Sequence, residues 1–498
     1  MSGNKSDIAM INNQIQFLLN DQLTTLSDID PNTTILQYLR QHQHKSGTKE
    51  GCASGDCGAC TVVIAEAVAG KLRYKSLNAC ISLLPSLHGK QLITVEDLED
   101  GDRLHPVQQA MVDFHGSQCG FCTPGFIMSL FALHKNYPDP SKHQTLEALA
   151  GNLCRCTGYR AIVDAAAAAK NHGADQFDRN AEQTIATLNS FAKDTMAQLS
   201  LNKELTDGAQ QAFSPLSLSQ LSQIMLDNPQ ARLVAGGTDI VLEITQMHKK
   251  LGTIVYVGNV PELQNFEEHD DRFIIGAALP YSEFTPHLAI HYPEFGDMIE
   301  RIGSLQIRNQ GTLGGNVGNA SPIGDTPPVL IALDAKLNLR CGDKIRQIAI
   351  EDYFVDYKVT SQQTSEFIES IEIPKPVSKA QQLKVYKISK RFDDDISAVL
   401  ATFNLTIEND VITKARVAFG GMAGIPARAA HCEQALNGQP FTQATIDAAK
   451  VQLVNDYKPM SDVRASKDYR MTVAQNLLQK AFIEISQPQT NTGVVQYA

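Results

Sequence analysis

At 498 residues the chain is too long for one ordinary hydrophobic core, so three or four domains are expected. Hydrophobic residues make up 43% and charged residues 19%, which is globular rather than disordered composition. A net charge of -11 argues against a nucleic-acid partner, and no window approaches eighteen uninterrupted apolar residues, so no membrane span is expected.

The N-terminus lacks a basic stretch followed by an apolar one, so no secretory signal is read and a reducing cytoplasm is the expected location. Ten cysteines in that setting point to metal ligands or redox thiols rather than disulfides. Eight of the ten precede residue 157.

In chain order, "QIQFLL" reads as a strand and "TTILQYLRQ" as a short helix. The run "GCASGDCGAC" then places Cys52, Cys57 and Cys60 in a C-x4-C-x2-C pattern, with Cys80 after nineteen intervening residues. This is plant-type [2Fe-2S] spacing. Three thiolates can converge from one short loop only if the backbone wraps tightly, which Gly51, Gly55 and Gly58 permit. "CTVVIAEAV" follows as a buried strand. Zinc is the alternative, but it favours two paired C-x2-C units over an x4 gap. A redox pair of Cys57 and Cys60 would leave Cys52 and Cys80 unexplained.

The second set is Cys119 and Cys122 in "GSQCGFCTPGF", and Cys154 and Cys156 in "GNLCRCTGYR". Thirty-one residues separate the pairs, too many for one wrapping loop, so each pair is expected between two helices. "HPVQQAMVDFHG" is the first helix, with Pro106 near its start. "TPGFIMSLFALHKN" is the second, with Thr123 as N-cap and Pro124 at the first helical position. "TLEALAG" is the third, stopping at Gly151, and "TGYRAIVDAAAAAK" the fourth, with Tyr159 on its apolar side. Two helical hairpins would bring the four thiolates to one end of a small bundle. One structural zinc in a helical hairpin is the alternative reading of this set alone.

"HGSQCGFCTPG" and "GNLCRCTGYR" resemble the signature of the molybdenum hydroxylases, the xanthine dehydrogenase and aldehyde oxidase family, and the resemblance runs over essentially the whole chain. It implies that the bundle cluster lies nearer a molybdopterin and the ferredoxin-like cluster between it and a flavin. It also implies that Gln118 lies beside the pterin of a partner chain.

Residues 171 to 212 are polar and weakly periodic, and read as a connector wrapping the surface, with one helix around Ile185 to Met196. "ARLVAGGTDIVLEI" is a strand, a small-residue turn and an apolar run starting as a helix, and "IRNQGTLGGNVGNASPIGDTPPVL" is rich in glycine and small polar residues. Both can lay backbone along a phosphate. No G-x-G-x-x-G follows a strand and no G-x-x-x-x-G-K-[ST] occurs, so neither a Rossmann nor a P-loop site is supported. The two runs resemble the FAD loops of the same family. The resemblance carries over Leu233, Val234, Ala235, Gly236, Gly237, Thr238, Asp239 and Ile240 as the pyrophosphate loop, and Thr312, Asn319 and Asp325 from the second loop. Ile302 and Ile368 match positions packed near the isoalloxazine, and Lys387, in "YKISKRFDDDIS", matches a flavin contact. Beyond residue 380, alternating strands flank an Asn409-Asp410 turn, and two helices follow.

The expected fold is therefore multidomain α+β. A β-grasp plant-type ferredoxin domain spans 8–92, a four-helix-bundle [2Fe-2S] domain 93–170, a linker 171–212, a vanillyl-alcohol-oxidase-type FAD domain 213–378 and a C-terminal α+β domain 379–490. The family's molybdopterin domains need several hundred further residues, so the resemblance implies a large molybdopterin-binding partner subunit and a dimer of heterodimers. It implies an electron-transfer subunit of the xanthine dehydrogenase type, which turns hypoxanthine into xanthine and urate at the partner's molybdenum. Electrons would pass singly through two [2Fe-2S] clusters to FAD and as hydride to NAD+, with no catalytic side chain in this chain. The rival readings are the equivalent subunit of an aldehyde, N-heterocycle or carbon-monoxide dehydrogenase, a freestanding iron–sulfur flavoprotein carrier, and a zinc-stabilised interaction protein.

Overall fold

The computed structural model describes residues 11–170, 173–191, 196–200 and 210–493. The chain forms two compact units. One runs up to Glu262 and takes in Gly303–Gly311; the other comprises Leu263–Ile302 and the chain from Thr312 onward.

The first unit begins with a five-stranded sheet in the order Gln22–Leu26, Ile15–Leu19, Gln91–Ile93, Thr61–Val68, Lys71–Asn78. Ile15–Leu19 and Gln91–Ile93 run parallel, and the other pairings are antiparallel. Thr34 opens the helix Ile35–Gln37 through a capping box with Gln37, and a wider helical turn, Tyr38–His42, continues it. The strand Thr61–Val68 lacks alternation because both its faces are covered. Val62 and Ile64 enter the ferredoxin core with Phe17, Tyr38 and Leu92, whereas Val63 and Ala65 enter the core of the helical bundle.

The bundle comprises the helices Pro106–Asp113, Thr123–Asn136, Lys142–Ala150 and Arg160–Ala168. Thr123–Asn136 is its central member and is buried from Gly125 to His134, which explains a sequence apolar on all sides. Two expectations shift here. Cys122, not Thr123, is the N-cap residue of the second helix, so Thr123 and Pro124 are its first two helical residues. Tyr159 precedes the fourth helix at a φ of 68° instead of lying along its side.

This unit also holds a second five-stranded sheet in the order Ile11–Asn12, Met196–Ser200, Gln211–Ser214, Thr253–Tyr256, Arg232–Val234. The stretch read as a surface connector thus supplies a strand. It carries two helices, Gln176–Arg179 and Ala181–Ser190, instead of one around Ile185 to Met196, and Met196 lies in the strand. Residues 171–172, 192–195 and 201–209 of that connector lie outside the described residues. Ala197 and Leu199 share one apolar core with Phe17 and Leu39, because alternate residues of the strand turn inward.

The second unit holds an antiparallel sheet in the order Phe266–Glu268, Arg272–Gly276, Phe367–Pro374, Lys336–Cys341, Lys344–Ala349. A four-stranded sheet, Gln381–Ile388, Val399–Glu408, Val411–Gly420 and Ala427–Arg428, follows. Its central hairpin turns at Asn409 and Asp410, both at positive φ (50° and 58°), as a two-residue hairpin turn needs. The helices Ala430–Leu436, Gln443–Asp456 and Lys467–Ser486 share its core through Cys432, Ile446 and Leu478. Among the described residues no helix is long and apolar enough to cross a membrane.

Candidate functional site

The loop Gly51–Cys60 and Cys80 bring the first four sulfurs together. Cys60 and Cys80 are buried, Cys52 and Cys57 half-buried. Cys60 Sγ lies 3.2 Å from Cys80 Sγ. Hydrogen bonding to the Cys57 and Cys80 sulfurs draws the Cys52 thiol far below the usual range and pushes those two above it. The amides of Ser54 and Asp56 point at Cys52 Sγ, at 3.4 and 3.3 Å. These are the donors that a thiolate cluster ligand requires. Gly58, at a φ of 68°, admits no side chain, since a Cβ there would lie 2.2 Å from the Gly151 carbonyl oxygen.

The second four cysteines lie at the end of the bundle, on two connections between helices, where Cys122 neighbours Cys154 and Cys119 neighbours Cys156. Cys122 and Cys154 are half-buried, Cys119 and Cys156 exposed. Burial, then sharing with Cys154, pushes the Cys122 thiol up to about 12. Burial would raise Cys154 too, but hydrogen bonds from Thr157 Oγ1 and from the Thr157 and Cys156 amides outweigh it and bring that thiol down to about 7. The neighbouring Cys119 thiol pushes the Cys156 thiol up. The positive φ of Tyr159 turns its ring back over the loop, where its hydroxyl accepts the Cys154 amide at 2.9 Å. Among the described residues no three such side chains are gathered to hold a single metal ion. The fit to two-iron clusters rests on these pairwise sulfur contacts and on the amides aimed at them.

One backbone hydrogen bond joins the two sets: the amide of Leu153, next to Cys154, donates to the carbonyl oxygen of Cys57 at 3.0 Å.

The pyrophosphate-loop candidates follow the strand Arg232–Val234 in the same unit. Arg232 and Glu243 form a two-pronged ion pair (2.9 and 2.7 Å) that closes the ends of the loop. The helix after it is one turn, Leu242–Thr245, shorter than the apolar run suggests. Inside the loop, a Cβ on Gly236 would lie 2.0 Å from the Gln310 carbonyl oxygen, and one on Gly237 3.0 Å from the Ile81 carbonyl oxygen, beside Cys80. Just beyond, the Gln246 side-chain amide donates to the carbonyls of Cys52 and Ala53 at 3.2 and 2.9 Å. The loop therefore packs directly on the first sulfur set.

The remaining candidates lie in the second unit. Thr312 N-caps the helix Leu313–Gly318 by accepting the Gly315 amide at 2.9 Å. Asn319 follows that helix and is half-buried. Gly318 is exposed beside Ile368, whose Cδ1 would touch a Cβ there at 3.7 Å. Ile302 and Ile368 pack on one core. Asp325 and Lys387 are both buried and paired at 2.6 Å. Ser397, which the sequence reading left out, bonds both, at 2.5 Å to Asp325 Oδ1 and 2.9 Å from Lys387 Nζ. Arg301 holds the following loop, donating to the Phe392 carbonyl at 3.0 and 2.9 Å and to the Lys387 carbonyl at 3.1 Å. Its neighbour Asp395 caps its own turn through the Arg391 and Ile396 amides. Such an arrangement can present one buried cation and a glycine-lined helix start to a polyanionic, aromatic ligand.

Four domain models match the chain in succession. They are the 2Fe-2S iron-sulfur cluster binding domain over residues 17–84, the [2Fe-2S] binding domain over 94–167, the FAD binding domain in molybdopterin dehydrogenase over 208–376, and the CO dehydrogenase flavoprotein C-terminal domain over 384–485. The chain belongs to the molybdenum hydroxylase family. This molybdenum hydroxylase chain is similar to the xanthine dehydrogenase of Emericella nidulans, with 34% identity over 89% of this chain and 36% of that one. It is similar to the aldehyde oxidase of Homo sapiens, with 28% identity over 97% of this chain and 40% of that one. It thus spans about two fifths of the length of such curated relatives. The carbon monoxide dehydrogenase of Hydrogenophaga pseudoflava shares the fold, with a TM-score of 0.52 at 21% identity, covering 54% of this chain and 94% of that one. The molybdenum hydroxylase chain is the iron–sulfur and FAD electron-transfer part of such an oxidoreductase.

Proposed function

We propose that the chain is the electron-transfer subunit of a cytoplasmic xanthine dehydrogenase. A large partner subunit holds the molybdopterin, and the two form a dimer of heterodimers. Hydroxylation of a purine carbon by water releases two electrons and two protons. The electrons traverse this chain one at a time and leave as hydride on NAD+. Two [2Fe-2S] clusters supply the one-electron relay, and FAD the exchange between single electrons and hydride.

The observation that carries this reading is the Leu153–Cys57 hydrogen bond, which puts the second sulfur set one residue from the first. The first set in turn touches the pyrophosphate loop at Ile81 and Gly237. Cys119, Cys122, Cys154 and Cys156 hold the entry cluster, and Cys52, Cys57, Cys60 and Cys80 hold the next. Around the entry cluster Gln118, Phe121 and Leu153 are exposed and form the face for the partner's pterin. The family resemblance assigns Leu233 to Ile240, in the first unit, to the pyrophosphate, and Thr312, Asn319 and Asp325, in the second, to FAD contacts. Ile302 and Ile368 flank the ring, and Lys387 stabilises negative charge on its reduced form. No side chain of this chain acts as acid, base or nucleophile.

The 34% identity to a xanthine dehydrogenase, against 28% to an aldehyde oxidase, favours purine as substrate. Because the aldehyde oxidase likeness spans 97% of the chain, the aldehyde or N-heterocycle reading stays as the second one. The test is turnover of hypoxanthine and xanthine with NAD+ by the complex purified through this chain. Turnover of aldehydes alone, or purification without a molybdenum subunit, would replace the reading with its rivals.

A further inference from the structure

Gln306 lies fully buried, far in sequence from every cysteine. The nine residues Gly303–Gly311 leave the flavin region and join the unit that holds both sulfur sets. Side chains of this strap reach different parts of that unit. Arg308 pairs with Glu147 of the bundle at 2.6 Å, Asn309 donates to the Ser76 carbonyl at 2.9 Å, and Gln310 accepts from Ser82 Oγ at 2.6 Å. Gln306 goes between the two sulfur sets. Its Nε2 lies 3.1 Å from Ser129 Oγ, 3.1 Å from Asn152 Oδ1 and 3.4 Å from Thr61 Oγ1.

Those partners stand next to the ligands. Thr61 follows Cys60, and Asn152 stands two residues before Cys154. Asn152 Nδ2 donates to the Gly58 carbonyl at 3.0 Å, and Thr61 Oγ1 donates to the same oxygen at 2.6 Å. Ser129 donates to Asn152 Oδ1 at 2.7 Å. Both hydroxyl hydrogens are thus committed, so the three groups facing Gln306 offer only lone pairs, and its amide nitrogen must face them. Its Oε1 is then left buried without a hydrogen-bond partner, against Gly151. Leaving a buried carbonyl unsatisfied is destabilising. A polar knot kept at that cost between two ligand loops fixes geometry that apolar packing leaves loose.

We propose that Gln306 is a positioning residue for electron transfer between the two clusters. It ties Asn152 and Thr61 to one point, so that the loop before Cys154 meets the Gly58 turn in one register and the Leu153–Cys57 hydrogen bond stays formed. This rests on the relay reading above.

The test uses the full chain with clusters and flavin loaded, comparing the wild type with Gln306→Met, which keeps volume and removes the hydrogen bonds. Electrons enter by photoreduction of the flavin, and freeze-quench electron paramagnetic resonance follows the arrival at each cluster. Gln306→Met should keep its iron and flavin, alter the magnetic splitting between the reduced clusters, and slow filling of the bundle cluster by roughly 10–100-fold, the scale on which groups supporting a metal ligand act. Unchanged splitting and an unchanged rate would overturn the positioning role. If Gln306→Met does not load, Ser129→Ala, which removes one partner of Gln306, is read the same way. A wild type whose clusters exchange no electrons would instead overturn the relay reading.

Discussion

The amide of Leu153 donates to the carbonyl oxygen of Cys57 across 3.0 Å, a backbone bond between two ligand loops almost a hundred residues apart in sequence. Leu153 is covalently next to Cys154, and Cys57 is itself a ligand candidate. Cys154→Ser should therefore cut the relay at its entry side. Purified protein should lose the bundle cluster and keep FAD, and NADH should still bleach the flavin. Failure of NADH to reduce the flavin in a folded variant would mean that the centres are not in this order.

Tyr159→Phe removes the hydroxyl that accepts the Cys154 amide. The expected result is a shifted midpoint potential of the bundle cluster with the ferredoxin cluster unmoved, read by redox titration with resonance detection of each. Equal shifts in both would argue against a local effect of the hydroxyl.

Lys387→Met leaves Asp325 and Ser397 buried without their cation. Breaking a buried pair from one side costs roughly 3–5 kcal/mol. FAD should wash off more readily, and the midpoint of chemical denaturation should fall. Adding Asp325→Asn should restore part of the stability but not the flavin affinity, since only the first depends on cancelling the stranded charge.

Gly236→Ala drives a methyl group to 2.0 Å from the Gln310 carbonyl oxygen. The three nearest atoms, the Gln310 carbonyl oxygen and carbon and the Gly311 nitrogen, are all backbone, so the loop must move, at a typical overpacking cost of about 1–3 kcal/mol. Flavin content should drop while both clusters load normally, as measured by iron assay and bound-flavin absorbance. A variant with full flavin would show that the loop tolerates the shift.

His88 sits in the ferredoxin unit, where its Nδ1 accepts the Gln16 amide at 3.1 Å. Burial, reinforced by the charge of Lys90, lowers its pKa from 6.5 to about 4. The unfolded chain therefore binds the extra proton first. Stability is full above pH 6.5 and falls as the pH drops toward 4, by about 3 kcal/mol in all. His88→Gln should flatten that part of the stability–pH curve in urea denaturation. An identical slope in the variant would place the acid sensitivity elsewhere.

The cysteine sets were legible because cluster loops are local: spacing and glycine content are written in a few consecutive residues. The Asn409-Asp410 hairpin was legible for the same reason. Gln306 was not, because its partners Thr61, Ser129 and Asn152 lie 154 to 245 positions away. Ser397 had a weak signal, following the acidic run that matched the family segment, but only the fold puts it on Asp325 and Lys387. Tyr159 misled because periodicity cannot register a positive φ. The strand Met196–Ser200 was hidden because it is short and lies among polar residues.

Ile11 and Asn12 run parallel to Met196 and Ala197, and the latter strand shares its apolar core with Phe17. Everything between, which means both cysteine-bearing modules, starts and finishes at one seam. Limited proteolysis in the polypeptide leading out of the bundle should therefore yield a nicked particle, two bands on a denaturing gel yet a single peak by size exclusion. The cysteine-bearing modules and this sheet are thus held together by strand pairing and a shared core as well as by the chain.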